Sequence, residues 1–216
     1  MKLVEDLGKK NAQYLIITGD GRTELKVLRV LSEKYNGKDL ILFFPFPPRS
    51  KKTGLSALNA LKIYSNIGIN SFIFIVDGDT FEEAPANFKI QEHLNSIGIE
   101  IVKINLIQDA FLINCKLGNK NIVIYCIISG PQTFIEEEVV KLIELKLEKK
   151  IDLSGKRDAN WKERIKKEII KILRENKIKL DELIRNTGKK KLESSFPNFC
   201  AVLKKIEENF TKSSLS

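Results

Sequence analysis

Two short stretches place carboxylates directly behind an apolar run: Thr18-Gly19-Asp20-Gly21-Arg22-Thr23-Glu24 and Val76-Asp77-Gly78-Asp79-Thr80. Acids at alternating positions after a buried strand crowd negative charge where apolar packing costs less. A divalent cation is the simplest compensation, and Mg²⁺ (or Mn²⁺) takes hard oxygen ligands from one or two carboxylates, water and phosphate. The glycines let the chain turn sharply and let a bulky anion approach the backbone. Glu24 follows Asp20 by four residues, about one helical turn, so it points back to the same mouth. The helix amino end there favours phosphate, which makes Gly21 and Arg22 phosphate-binding candidates. Each acid also has a plainer reading: Asp77-Gly78-Asp79 as a turn with a helix cap, and Asp20 as the cap of the helix behind it. The presence of two such clusters on two strands of one sheet is the more specific signal.

The elements that must position these acids are legible as alternating short apolar runs and amphipathic stretches. Tyr14–Thr18, 39–46, 71–76, 100–106 and 121–129 read as strands; 23–35, 55–66, 87–97 and 135–147 read as helices. Ser71 is followed by Phe-Ile-Phe-Ile-Val, and such unbroken apolar runs belong to strands covered on both faces. Segment 107–120 has two readings, one of them a short extra strand, Phe-Leu-Ile-Asn-Cys-Lys-Leu, before a Gly118-Asn119 turn. The order predicts an α/β fold: an open, largely parallel, Rossmann-like sheet flanked by helices, with sites at the carboxyl ends of its strands. This domain spans 1–150, and a basic helical C-terminal extension spans 151–216. After Lys150 the pattern turns helical, with a first helix through Trp161 and Arg174 and further ones at 180–186 and 198–209.

The chain has 216 residues and a net charge of +9. Residues 151–216 carry 17 Lys/Arg against 10 Asp/Glu, whereas 1–150 carry 20 against 18. Such asymmetry fits a polyanion-binding surface, because each neutralised phosphate releases counterions; a lysine-rich solvated face is the other reading. Arg164, Lys167, Lys171 and Arg174 follow one face of the first extension helix, opposite Trp161, Ile165, Ile169 and Ile172, and are the candidate nucleic-acid-binding residues. Lys51 and Lys52 are further phosphate candidates, although solvated loop lysines explain them as well.

Other chemistries are excluded letter by letter. Three cysteines, none at CxxC spacing, support neither a disulfide framework nor a zinc site. One histidine, His93, leaves no material for a multi-histidine metal cage and reads as an ordinary helix-surface residue. Neither Gly19 nor Gly21 begins a P-loop, Glu24 stands where a dinucleotide fingerprint needs its third glycine, and Phe81 breaks the haloacid-dehalogenase pattern. A glycosyltransferase DxD remains compatible with Asp77-Gly78-Asp79. No run approaches the roughly 18 apolar residues of a membrane span, and the start lacks a signal-like apolar core, so a cytoplasmic protein without membrane contact is expected.

A strand followed by Gly-Asp-Gly-Arg-Thr-Glu-Leu, then a later strand followed by Asp77-Gly78-Asp79, resembles the Toprim domain of topoisomerases, primases and overcoming-lysogenization-defect nucleases. The likeness is greatest to small stand-alone Toprim-like proteins of archaea and bacteria, and it covers roughly residues 12–145. It implies that Asp20 stands where the family has a general acid/base or metal-binding glutamate, one methylene longer. Glu24 then matches the second acid of the nuclease branch, and Asp77 and Asp79 match the Mg²⁺-binding pair. The implied activity is metal-dependent phosphoryl transfer on DNA or RNA, most simply phosphodiester hydrolysis by a nuclease, with Asp20, Glu24, Asp77 and Asp79 catalytic.

The shortened acid at position 20 motivates the alternative of an inactive Toprim-like binding or regulatory module; nucleotide or nucleotide-sugar chemistry is a further one. Glu136, Glu137 and Glu138 open the helix after the last strand. They read first as complements to the helix dipole and second as holders of another metal, as acids in this region do in similar proteins. Residues 107–116 are apolar enough to bury in the core or against a second copy of the chain, which leaves a homo-oligomer open.

Overall fold

The computed structural model describes residues 1–6, 11–18, 22–37, 39–45, 53–130 and 134–213, with the side chains of Arg22, Lys212 and Ser213 excepted. Among them, seven strands form one sheet: β1 (Lys2–Val4), β2 (Tyr14–Thr18), β3 (Ile41–Phe43), β4 (Ser71–Asp77), β5 (Glu100–Ile107), β6 (Ala110–Leu117) and β7 (Lys120–Ser129). Their spatial order is β1-β3-β2-β4-β7-β6-β5. The first five in that order run parallel, β6 runs against both its neighbours, and β5 returns to the common direction. The protein is thus an open α/β sheet with one reversed strand. That strand lies in segment 107–120, and its reversal follows from the two-residue turns on either side, which permit only antiparallel pairing.

Helices α1 (Arg22–Ser32), α2 (Ala60–Asn66), α3 (Ala86–Ser96) and α4 (Ile135–Leu147) cover the sheet, and α5 (Ala159–Glu175), α6 (Leu180–Arg185), α7 (Lys189–Ser195) and α8 (Pro197–Ser213) follow. Several elements depart from the sequence reading. The second strand shrinks to Ile41–Phe43, with Phe46 outside the described residues. The helix expected over 55–66 opens with a 3-10 segment at Gly54–Asn59. β1 and α7 are additions that short length hid from periodicity. β1 pairs only with β3, at one edge of the sheet.

Strand alternation divides the core in two. On β4, Phe72, Phe74 and Val76 face one way, with Leu58, Leu61, Ile90 and Leu94 from the 3-10 segment, α2 and α3. Ile73 and Ile75 face the other way, into a larger cluster with Leu28 and Leu31 of α1, Val140 of α4, Trp161, Ile165 and Ile169 of α5, and residues of α6, α7 and α8. The C-terminal helices therefore share a core with the sheet. Among the described residues no helix is long and apolar enough to cross a membrane.

Candidate acidic site at the carboxyl ends of the central strands

Asp77 ends β4, and its parity is that of Ile73 and Ile75, so it turns toward the layer of α1, α4 and α5. It is 1% exposed. Its register partner on β7 is Ser129, and the two side chains meet: Ser129 Oγ donates to Asp77 Oδ1 at 2.8 Å. The second oxygen is also engaged, since Lys162 Nζ of α5 donates to Asp77 Oδ2 at 2.9 Å. Lys162 lies in the first turn of α5, a helix capped by Asp158, whose carboxylate accepts from the Trp161 amide at 3.0 Å. Its ammonium also sits 4.1 Å from the centre of the Phe134 ring.

Three further acids crowd this place. Glu24 sits in the first turn of α1 and is 3% exposed, while Glu136 and Glu138, in the first turn of α4, are each 2% exposed. Glu24 Oε2, Glu136 Oε2 and both oxygens of Glu138 are buried with no hydrogen-bond partner of good geometry among the described residues. Burial pushes the Glu24 carboxyl up to about 7, the negative charges of Asp77 and Glu136 push the same way, and Lys162 pulls against them. Glu136 is raised by burial, opposed by Lys162 and Lys166. Glu138 is raised well above the usual carboxylate range by burial, with Asp77, Glu137 and Glu24 adding to it and the Gly130 backbone opposing. Burial works against the Lys162 ammonium too, yet its bond to Asp77 and the charges of Asp77, Glu136 and Glu24 outweigh that and raise its pKa.

Two more cations flank Lys162. Arg157 Nε donates to Glu137 Oε1 at 2.7 Å, and Lys166 Nζ lies 3.8 Å from Glu136 Oε1. The turn that delivers α4 to the site depends on Gly130. Its φ is +69°, and a Cβ there would run into the Phe134 backbone, so a larger residue would move the helix start.

Of the residues singled out in the sequence, Glu24 and Asp77 are brought within electrostatic reach of each other. Asp79 is half-buried in the 3-10 turn Gly78–Phe81 that follows β4. Asp20, Gly21, Lys51 and Lys52 lie outside the described residues, as does the Arg22 side chain. On α5, Arg164, Lys167, Lys171 and Arg174 are exposed along one face. Arg164 is partly committed, since Nη1 and Nη2 donate to the carbonyls of Asp152 and Ser154 at 3.1 and 2.6 Å. His93 is half-buried on α3 rather than on an open surface, and burial lowers its pKa.

Glu136–Glu138 lie in the first turn of α4, as the dipole reading has them, but all three are buried, a cost that reading leaves out. A signal was present: Glu136 shares a stripe with Val139, Val140 and Ile143, so an acid stands on an apolar face. Lys162 carried no comparable signal, because a lysine 85 residues away in sequence reads as one of many.

Fold and site together define a class: an open α/β sheet whose central strands deliver carboxylates to one buried mouth, closed by cations from a C-terminal helix. Compared with protein-family models, curated proteins and solved structures, the chain finds no match. One observation bears on a divalent cation here: among the described residues Glu24 Oε2 and Glu136 Oε2 are buried and meet no donor. Among the described residues, no three His, Cys, Asp or Glu form a ready-made ligand group.

Proposed function

We propose that the protein is a Toprim-like, metal-dependent phosphoryl-transfer enzyme that hydrolyses phosphodiesters of nucleic acid. The observation that carries this reading is the crowding of Glu24, Glu136 and Glu138 beside Asp77 in burial, with Glu24 Oε2 and Glu136 Oε2 meeting no donor among the described residues. Burying that many carboxyl groups is costly even with their pKa values raised and cations beside them, and stability alone would favour apolar residues there.

Glu24, Asp77 and Asp79 would hold Mg²⁺ or Mn²⁺, with Asp20, which follows β2 in the sequence, and with Glu136 and Glu138 beside them. Bound there, the ion would neutralise phosphate charge and lower the pKa of water. The chain's own groups do the rest. Ser129 fixes the rotamer of Asp77 through its 2.8 Å bond. Glu24, whose carboxyl burial raises to about 7, must give up its proton before it can hold the ion. Lys167, Lys171 and Arg174, exposed on α5, grip the phosphate backbone without reading bases.

The test is cleavage of labelled single- and double-stranded DNA and RNA in Mg²⁺, Mn²⁺ or EDTA, with the Asp77→Ala/Asp79→Ala variant alongside. Metal-dependent cleavage that the double substitution reduces by at least ~100-fold is expected. Binding that survives EDTA without cleavage would replace the enzyme with a nucleic-acid-binding module. Cleavage of small nucleotides alone would move the reading to nucleotide chemistry.

A further inference from the structure

We infer that Lys162 is a built-in competitor for the cation: its ammonium holds the place on Asp77 Oδ2 that a divalent ion needs, and so sets the affinity of the site. The inference rests on the metal reading above but concerns a residue outside the acid motifs. With Ser129 on Oδ1 and Lys162 on Oδ2, both oxygens of Asp77 are taken in the metal-free protein. Among the described residues Glu24 Oε2 and Glu136 Oε2 meet no donor, whereas Asp77 has a donor on each oxygen, one of them a cation. The ammonium reaches this place from the first turn of α5, and Arg157 and Lys166 on either side pair with Glu137 and Glu136. The residues 157–166 thus lay three cations against three acids, and metal entry is an exchange of one cation for another.

That exchange has a sign. An ammonium next to Asp77 lowers the electrostatic gain of a divalent ion at the same carboxylate, and the ion binds well only after Lys162 has swung away. Lys162 is 23% exposed at its side chain, so it has solvent to swing into. The same exchange links the site to the C-terminal helical segment, since the group displaced belongs to α5.

The experiment is Mn²⁺ binding to the full chain by calorimetry and by loss of the free-ion electron paramagnetic resonance signal, with no substrate present. Lys162→Met and Lys162→Gln remove the charge from side chains one atom shorter; Lys162→Arg keeps the charge. The expected result is roughly tenfold or greater tightening in the Met and Gln variants and near wild-type affinity in the Arg variant. In an Asp77→Asn background the gain from Lys162→Met should shrink, since the two residues then no longer share a charge. Far-ultraviolet circular dichroism identifies a variant that has lost its fold, and two neutral replacements keep the test alive if one does. Equal or weaker Mn²⁺ binding by folded Lys162→Met and Lys162→Gln, with wild type still binding, would overturn the competitor and leave the metal site standing. Absence of Mn²⁺ binding from wild type and every folded variant would overturn both.

Discussion

The two faces of the sheet are built to different rules. On one, α2, α3 and the 3-10 segment bring an almost wholly apolar cluster against Phe72, Phe74 and Val76. On the other, α1 carries Glu24 and α4 carries Glu136, Glu137 and Glu138 into burial beside Asp77, with Lys162 of α5 against it, at one end of an equally apolar core. The same strands serve both faces, so β4 supplies Phe74 to the first and, three residues on, Asp77 to the second. The difference teaches where the protein spends stability. One face holds the fold together, and the other gives up favourable packing to keep charges out of water, which is the mark of a site rather than of a scaffold.

The largest expected effect that would break this comparison lies on the apolar face. Leu94 of α3 is fully buried, and Leu94→Ala should destabilise the protein by about 3 kcal/mol in urea unfolding. Its Mn²⁺ affinity should stay at the wild-type level, and a changed affinity would show that the faces are not independent. Next in size is the pH dependence of the charged face. The folded Glu24 carboxyl is raised from 4.5 to about 7, so the native state keeps its proton after the unfolded chain has lost one. Stability without metal therefore falls as pH climbs through that window and levels off above it. Glu24→Gln removes the loss and should gain on the order of 2 kcal/mol over wild type at pH 8, with little gain near pH 4.5. Leu94→Ala should show no such divergence between the two pH values.

The smallest effect concerns the outer surface of α5. Replacing Lys167, Lys171 and Arg174 by alanine should leave urea unfolding nearly unchanged. Nucleic-acid affinity should drop roughly tenfold at physiological salt, and the slope of log affinity against log salt should flatten by up to about 3. Unchanged binding would assign that face to solvation alone.

Much of the architecture was written in local pattern. Unbroken apolar runs such as Phe72–Val76 can only be strands covered on both sides, and amphipathic stretches between them require crossovers and hence a parallel sheet. β1, three residues long, has too few positions for any period to show. The 3-10 opening at Gly54–Asn59 escaped because its apolar spacing differs little from that of an α-helix over one turn. For the acids, spacing placed Asp77 directly behind a strand and Glu24 about one turn into the helix behind another. Glu136 and Glu138 were harder, because three glutamates at a helix start have a sufficient local explanation.

By itself, then, the sequence determined most of the strands, the crossover helices and the acid-bearing turn after β4, because each depends on residues within a few positions of one another. Tertiary structure alone decided the rest: that β6 seats between β7 and β5, that α4 enters the core with its glutamates inward, and that Lys162 meets Asp77. Those contacts join residues as much as 85 positions apart, and burial of a charge depends on what is packed over it.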